Sequence, residues 1–263
     1  MHFILETLQV IFLSFWYNLE SLFFFLVPRR KKSVAGEVVL ITGSGSGIGR
    51  LMAQEFAALG AVLVLWDINH EGMKETARLA KKEGASRVHY YVCDCSDKTD
   101  VYKVAEQVKR EAFLPAMLAN NHGHLVSIAS SAGLIGVNGL ADYCASKFAA
   151  VGFAESVGLE LLATGKDGIK TTIVCPYFIN TGMFDGCQTK WPRLLPILNA
   201  EDVAKKIIHA VLTDQVYLLL PRSMYTITAL KNILPMKQGL MLGQYLGAFN
   251  LMDTFRGRAK KLD

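Results

Sequence analysis

One stretch narrows the folds open to this chain more than any other. Gly36 to Thr42, GEVVLIT, is a short apolar run rich in β-branched residues, the pattern of a buried strand. Gly43-Ser44-Gly45-Ser46-Gly47-Ile48-Gly49 follows at once, and a helical pattern then runs through Leu59 to stop at Gly60. Strand, Gly-rich turn and helix in that order place backbone amides and a helix N-terminus where an anion can sit. The glycines let the chain approach a pyrophosphate closely, so Gly43, Ser46, Gly47, Ile48 and Gly49 are the candidate phosphate-binding residues. A second strand, Ala61 to Trp66, ends in Asp67. A carboxylate there can accept hydrogen bonds from ribose hydroxyls and repels a 2′-phosphate, which favours NAD over NADP. Asp67 could instead cap the helix that begins after Ile68-Asn69.

The pattern continues as an α/β chain. A helix from about Glu71 to Glu83 precedes a third strand, Arg87 to Cys93, and then Asp94. Asp94 can meet an adenine at the strand end or cap the turn with Ser96 and Asp97. A further helix covers Lys98 to Arg110, apolar at Val101, Val104, Ala105 and Val108. There the regularity breaks. Only eighteen residues, Ala112 to Ala129, separate Glu111 from Ser130, whereas a helix with its returning strand takes about 30 or more. What remains is a short helical piece, Ala112 to Ala119, a polar turn, Asn120-Asn121-His122-Gly123, and one strand, Leu125 to Ala129. One strand and most of one helix are missing from the expected pattern.

The next stretch carries the chemistry. Ser127 to Lys147 reads SIASSAGLIGVNGLADYCASK. If Tyr143 opens a helix, Lys147 lies on the same face four residues on. A phenol is a poor base at neutral pH, and an adjacent cation favours the phenolate. Tyr143 could then act as a general acid/base on an alcohol or carbonyl, with a hydroxyl of Ser130 or Ser131 holding the reacting oxygen. The helix from Tyr143 to about Thr164 has an Ala/Gly-rich face, which permits close packing on a partner helix, as in a homodimer. Strand Lys170 to Cys175 ends in Pro176-Tyr177-Phe178-Ile179-Asn180-Thr181, a loop at the sheet edge where ligands bind. A hydroxyl at Thr181 could reach a cofactor amide or simply cap. A helix from Ala200 to Leu212 and a strand from Gln215 to Leu220 complete the domain.

The two ends differ in character. Residues 3 to 27, FILETLQVIFLSFWYNLESLFFFLV, are apolar but interrupted by Glu6, Asn18 and Glu20, and Arg29-Arg30-Lys31-Lys32 follows. No positive region precedes the run and no small-residue cleavage site follows, so it does not read as a cleaved signal peptide. An interfacial or hairpin membrane anchor and a single spanning helix both fit, the first better, because charges inside a span are costly, and a core helix docked on the domain is the remaining alternative. Either membrane form leaves the rest of the chain on the cytosolic side by the positive-inside rule. From Tyr225 to Met252 the chain is again apolar and aromatic, which suits a lid over a greasy substrate, a second membrane contact or packing on the domain. The net charge of +5 is concentrated at these ends, which points to an anionic membrane surface before nucleic acid, and no nucleic-acid motif is present. Five cysteines without a C-x-x-C and six histidines without ligand spacing point to reduced core thiols and no metal site.

Thr42-Gly43-x-x-x-Gly47-x-Gly49, Ser130 thirteen residues before Tyr143, Tyr143-x-x-x-Lys147 and Pro176 to Thr181 together resemble the short-chain dehydrogenase/reductase family over residues 36 to 222. The last motif is similar to the family's P-G-x-x-x-T loop, with Tyr177 where the glycine stands. LVLWDIN and GLADYCASKFAAVGFAESV look most like its membrane-bound retinol dehydrogenases, beside the lipid-droplet 17β-hydroxysteroid dehydrogenases. The resemblance implies a Rossmann-like doubly wound parallel sheet in the order 3-2-1-4-5-6-7, here without its fourth strand and most of the following helix. It implies Ser130, Tyr143 and Lys147 as catalytic residues. It implies NAD held by Gly43, Ser46, Gly47, Ile48, Gly49, Asp67, Asp94, Tyr143, Lys147, Pro176 and Thr181. The substrate would be a lipophilic alcohol such as all-trans-retinol, a 17β-hydroxysteroid or a fatty alcohol, on endoplasmic reticulum or lipid-droplet surfaces. The family's N-N-A-G strand, and the asparagine of its following helix, fall in a segment missing between Glu111 and Ala112. Asn120-Asn121-His122-Gly123 is not read as its replacement, since no strand precedes it. A catalytically silent membrane or lipid-droplet protein is the alternative this departure raises. The expected layout is an anchor over residues 1–32, an incomplete NAD-binding domain over 33–222, and a lid or membrane contact over 223–263.

Overall fold

The computed structural model describes residues 2–107 and 113–257. The chain divides into two compact units, Met1–Lys32 and Ser33–Asp263. The first is α1 (His2–Leu26) and the basic residues after it. Polar side chains along α1 bond back to its own backbone: Thr7 Oγ1 donates to the Phe3 carbonyl and Asn18 Nδ2 to that of Ser14. Arg29 lies over the Phe24 ring at 4.7 Å. Phe3, Phe12, Phe15 and Trp16 are exposed. No helix among the described residues is long and apolar enough to cross a membrane. The spanning alternative therefore finds no support in α1, whose Glu6 and Glu20 break the apolar run.

The second unit is built on parallel strands. β1 (Val38–Thr42), β2 (Val62–Asp67) and β3 (Val88–Val92) alternate with α2 (Gly47–Ala58), α3 (His70–Lys82) and α4 (Lys98–Gln107). β1 pairs with β2 from Val38↔Val62 to Thr42↔Trp66, and β2 with β3 from Leu63↔Val88 to Asp67↔Val92. The two-residue side-chain period sends β2 into two cores at once. Leu63 and Leu65 enter a large cluster with Met52, Phe56 and Met73. Val64 and Trp66 enter a smaller one with Cys93 and Val104.

After α5 (Phe113–Asn120), the second series is β4 (Gly123–Ile128), α6 (Ala141–Ala163), β5 (Ile169–Pro176), α7 (Ala200–Leu212) and β6 (Tyr217–Leu220). β4 pairs with β5, and β5 with β6, all parallel. α8 (Ser223–Ile233) and α9 (Met236–Leu246) follow.

The sheet is not continuous. The strand orders are β1-β2-β3 and β4-β5-β6, and among the described residues no backbone pairing joins β1 to β4. The break falls between the strands on either side of the expected fourth strand, and the two half-sheets do not pair directly. β4 is half-buried along most of its length, and β1 is fully buried only at Ile41. The halves are held by side chains instead. α2 packs on α7, and one apolar cluster runs from Met52 and Phe56 of α2 through Ile207 and Val211 of α7 to Ile173 of β5. At the strand starts the His122 imidazole lies 3.1 Å from the Glu37 carboxylate. The proposed junction between Glu111 and Ala112 lies outside the described residues.

Candidate active site

The glycine loop takes the shape its composition requires. Gly43 and Gly47 have φ of +65° and +54°, values a side chain rarely adopts. Gly49 is needed for a different reason: a Cβ there would lie 2.2 Å from the Gly43 carbonyl oxygen. Backbone cannot yield as a side-chain tip can. Gly49→Ala is therefore expected to lower stability by about 1–3 kcal/mol and to abolish dinucleotide-induced stabilisation. Thermal melts with and without dinucleotide read both effects, and an unchanged melt would mean the loop can open without loss. Ser46 precedes α2 in extended conformation with no side-chain cap on the helix amides, so the first-turn donors face outward for an anion.

Asp67 does not cap α3; Asn69 does, through its bond from the Gly72 amide. Asp67 instead ties the loop to the strand end, Oδ2 accepting from Gly45 N and Oδ1 from Asn69 N, both at 2.8 Å. A carboxylate has about four acceptor positions, which leaves room for a ribose diol. Arg50, which sequence pattern did not single out, clamps the loop from beneath. Its guanidinium donates to Thr76 Oγ1 at 3.0 Å, to the Gly72 carbonyl at 3.3 Å, and to the Gly45 carbonyl. Asp94 takes the capping alternative: Oδ1 accepts from the Ser96 amide and hydroxyl, which hold its carboxyl below the usual range.

Across the gap, β4 ends at Ile128 and Ser130 begins a 3-10 turn over Ser131–Gly133. Ser130 Oγ accepts from the Ala132 amide at 3.2 Å and donates to the Pro176 carbonyl at 3.4 Å. Ser131 is buried. α6 begins at Ala141, so Tyr143 and Lys147 share a face as the spacing predicts, with the Lys147 ammonium 5.6 Å from the Tyr143 ring centroid. Lys147 Nζ donates to the Ile128 carbonyl at 3.2 Å. The Tyr143 phenol is raised above its ordinary pKa by burial, with the Ser130 hydroxyl pulling against it. The expected lowering by Lys147 is not met in the protein alone. Its ammonium donates to a carbonyl and lies over the ring face, and burial depresses its own pKa.

Gly43, Ser46, Gly47, Ile48, Gly49, Ser130, Ser131, Tyr143, Lys147, Pro176 and Thr181 line one cavity of about 300 Å³. The cavity therefore joins a loop from one half-sheet to three polar groups on the other. The Thr181 methyl lies 3.9 Å from where a Cβ of Gly47 would stand, so the two strand-end loops meet across it. Asp67 and Asp94 lie outside this lining. The rest is apolar: Ile135, Val137, Tyr177, Phe178, Met183, Phe184, and Ala248 and Leu251 from the C-terminal segment. Ala248 and Leu251 thus bring part of the C-terminal segment into the cavity wall. Asn121 sits at the opposite strand end, accepting from the Gly168 amide and donating to Asp167. It clamps a turn there and contributes nothing to the cavity.

A short chain dehydrogenase family model matches residues 37–112 and 109–190. Epidermal retinol dehydrogenase 2 of Mus musculus is 53% identical over 286 aligned positions, covering 92% of this chain and 93% of that protein. Estradiol 17-beta-dehydrogenase 11 of Homo sapiens is 41% identical, covering 89% and 91%. Retinol dehydrogenase 10 of Xenopus tropicalis is 38% identical over 330 positions, covering 99% and 97%. That alignment is longer than the 263-residue chain, so the relative holds residues with no counterpart here. A short-chain dehydrogenase/reductase from Burkholderia phymatum, solved in complex with NAD, superposes with a TM-score of 0.67 at 23% identity, covering 80% of this chain and 96% of that one.

Proposed function

The chain belongs to the short-chain dehydrogenase family, and from that premise we propose that it is an NAD-dependent oxidoreductase of lipophilic alcohols, with all-trans-retinol as the first substrate to test. The observation that carries the reading is the single cavity lined by both the glycine loop and Ser130, Tyr143 and Lys147. The uncapped first turn of α2, the close approach at Gly49 and the carboxylate of Asp67 suit a dinucleotide. When bound, NAD supplies the hydride acceptor. Gly43 to Gly49 would hold its phosphates, Asp67 its adenosine ribose, and Pro176 and Thr181 its nicotinamide end. Ser130 Oγ positions the substrate oxygen. Tyr143 takes the hydroxyl proton. Lys147 would hold the second ribose. The names of the relatives support retinol ahead of a 17β-hydroxysteroid, with a fatty alcohol as the third candidate.

The same reading places the protein on an endoplasmic reticulum or lipid-droplet surface, facing the cytosol. α1 exposes aromatic side chains and is followed by four cations. The C-terminal segment supports a second contact. Ile233, Met236 and Met241 are 77%, 79% and 68% exposed, and no acidic residue occurs between Arg222 and Met252. Lys190 lies over the paired rings of Trp191 and Tyr245, an amphipathic grouping suited to a lipid interface.

A second reading, a catalytically silent surface protein, is favoured by the break between β1 and β4. The loss of a strand between Glu111 and Ala112 is supported by the family match breaking in two over residues 109–112 and by the longer alignments. One assay separates the readings. Protein incubated with anionic phospholipid vesicles carrying all-trans-retinol and NAD is expected to sediment with the vesicles and to form retinaldehyde with NADH. Sedimentation without turnover on retinol, steroid or fatty alcohol would establish the silent form.

A further inference from the structure

We propose that Phe184 is a positioning residue for Tyr143: its ring edge fixes the angle of the phenol and shields it from water, and Phe255 of the C-terminal tail holds Phe184 in place. The proposal rests on Tyr143 as the group that moves the proton.

The geometry is a chain of rings. The Phe184 centroid lies 5.5 Å from that of Tyr143 with planes at 79°, an edge-to-face contact. Behind it stand Phe178 at 5.1 Å and Phe255 at 6.1 Å. Phe184 belongs to the loop after β5, between Gly182 and Gly186, whose φ values of +81° and +90° set sharp bends on either side. The tail is stitched to that loop by backbone. The Arg256 amide donates to the Asp185 carbonyl at 2.8 Å, and Thr254 Oγ1 donates to the Gly186 carbonyl. A Cβ on Gly186 would stand 2.1 Å from the Thr254 carbonyl oxygen, so only glycine admits the tail this closely.

Tyr143 is thus held on three sides. The Ser130 hydroxyl acts on its phenol, Lys147 lies over its face, and Phe184 meets it edge-on. Of the titratable groups on α6, Cys144 acts on the phenol, while Lys147 is acted on by Cys175 of β5. None of them comes from the loop of Phe184, so its influence on the phenol is through packing and exclusion of water. Water excluded from a phenol disfavours its anion, in line with the raised pKa. Removing Phe184 should therefore lower the titration midpoint of Tyr143, and loosening the ring should also slow proton transfer.

Tyrosinate absorbance tests this without turnover. The difference between a protein and its Tyr143→Phe counterpart isolates this phenol among nine tyrosines. In Phe184→Ala the midpoint is expected to fall by about half a pH unit or more, and kcat for retinol, compared at equal fractions of phenolate, by about tenfold, with KM for NAD unchanged. Phe184→Leu, which restores apolar cover, is expected to return the midpoint. An unmoved midpoint in Phe184→Ala overturns the proposal. If Phe184→Ala does not melt cooperatively, Phe255→Ala decides: a smaller fall in the midpoint supports the role, and an unmoved midpoint sinks it. A chain with no turnover would refute the proposed activity while leaving the titration to judge Phe184.

Discussion

Tyr143→Phe is expected to reduce NAD-dependent oxidation of retinol by roughly 10²- to 10⁴-fold, the usual contribution of a positioned acid/base. The change removes one oxygen atom and keeps the ring that packs against Phe184. Melting temperature and NAD-induced stabilisation should therefore stay close to those of the parent. The pH dependence of the parent follows from the same group. Oxidation requires the phenolate, so its rate should rise with pH towards the raised pKa of Tyr143; reduction of retinaldehyde requires the phenol and should fall above it. The substitution should erase both limbs. Single-turnover NADH formation in membranes across a pH series measures this. Turnover that survives in Tyr143→Phe with its pH profile intact would move the proton-transfer role elsewhere, with Ser130 the first group to test.

The parts of the site that sequence made legible are those set by short-range rules. Gly43 and Gly47 mark positive φ, and Gly49 marks a backbone contact six residues back along the chain. Tyr143 and Lys147 fall on one face because four residues make about one helical turn. Asp67 was placed at the strand end by its position alone, but its bonds to Gly45 and Asn69 were not visible. Arg50 and Phe184 were missed because their partners are distant in the chain. Arg50 reaches Gly72 and Thr76 through the packing of α2 on α3, and Phe184 reaches Tyr143 and Phe255 through loop closure. No spacing within one segment encodes either contact. Asp94 illustrates the converse. Ser96 two residues on supplied a local capping partner, and that partner took the carboxylate.

Grafting from the mouse epidermal retinol dehydrogenase 2 the segment proposed to be missing between Glu111 and Ala112 is expected to raise the melting temperature on the order of 10 °C. The argument begins with the two strand edges. β1 and β4 each present backbone donors and acceptors to a gap in which neither finds the other. A strand laid between them bonds to both, and each bond adds about 1 kcal/mol net. Several such bonds, together with cover for Val38, Val39, Leu40 and Val126, should stabilise the domain by several kcal/mol. Closing the gap also fixes the glycine loop of one half-sheet against Ser130 and Tyr143 of the other. Turnover on retinol should therefore rise with stability, and NAD should bind more tightly. The ungrafted chain, with two open edges, should associate on warming before it melts cooperatively. Calorimetry and NAD titration of the two forms compare these outcomes directly. A graft that melts no higher than the parent would mean that the packing of α2 on α7 already supplies what the strand would add. A graft that melts higher but turns over no faster would separate the integrity of the sheet from the alignment of the site, and would return the proton-transfer step to Tyr143 and its immediate neighbours.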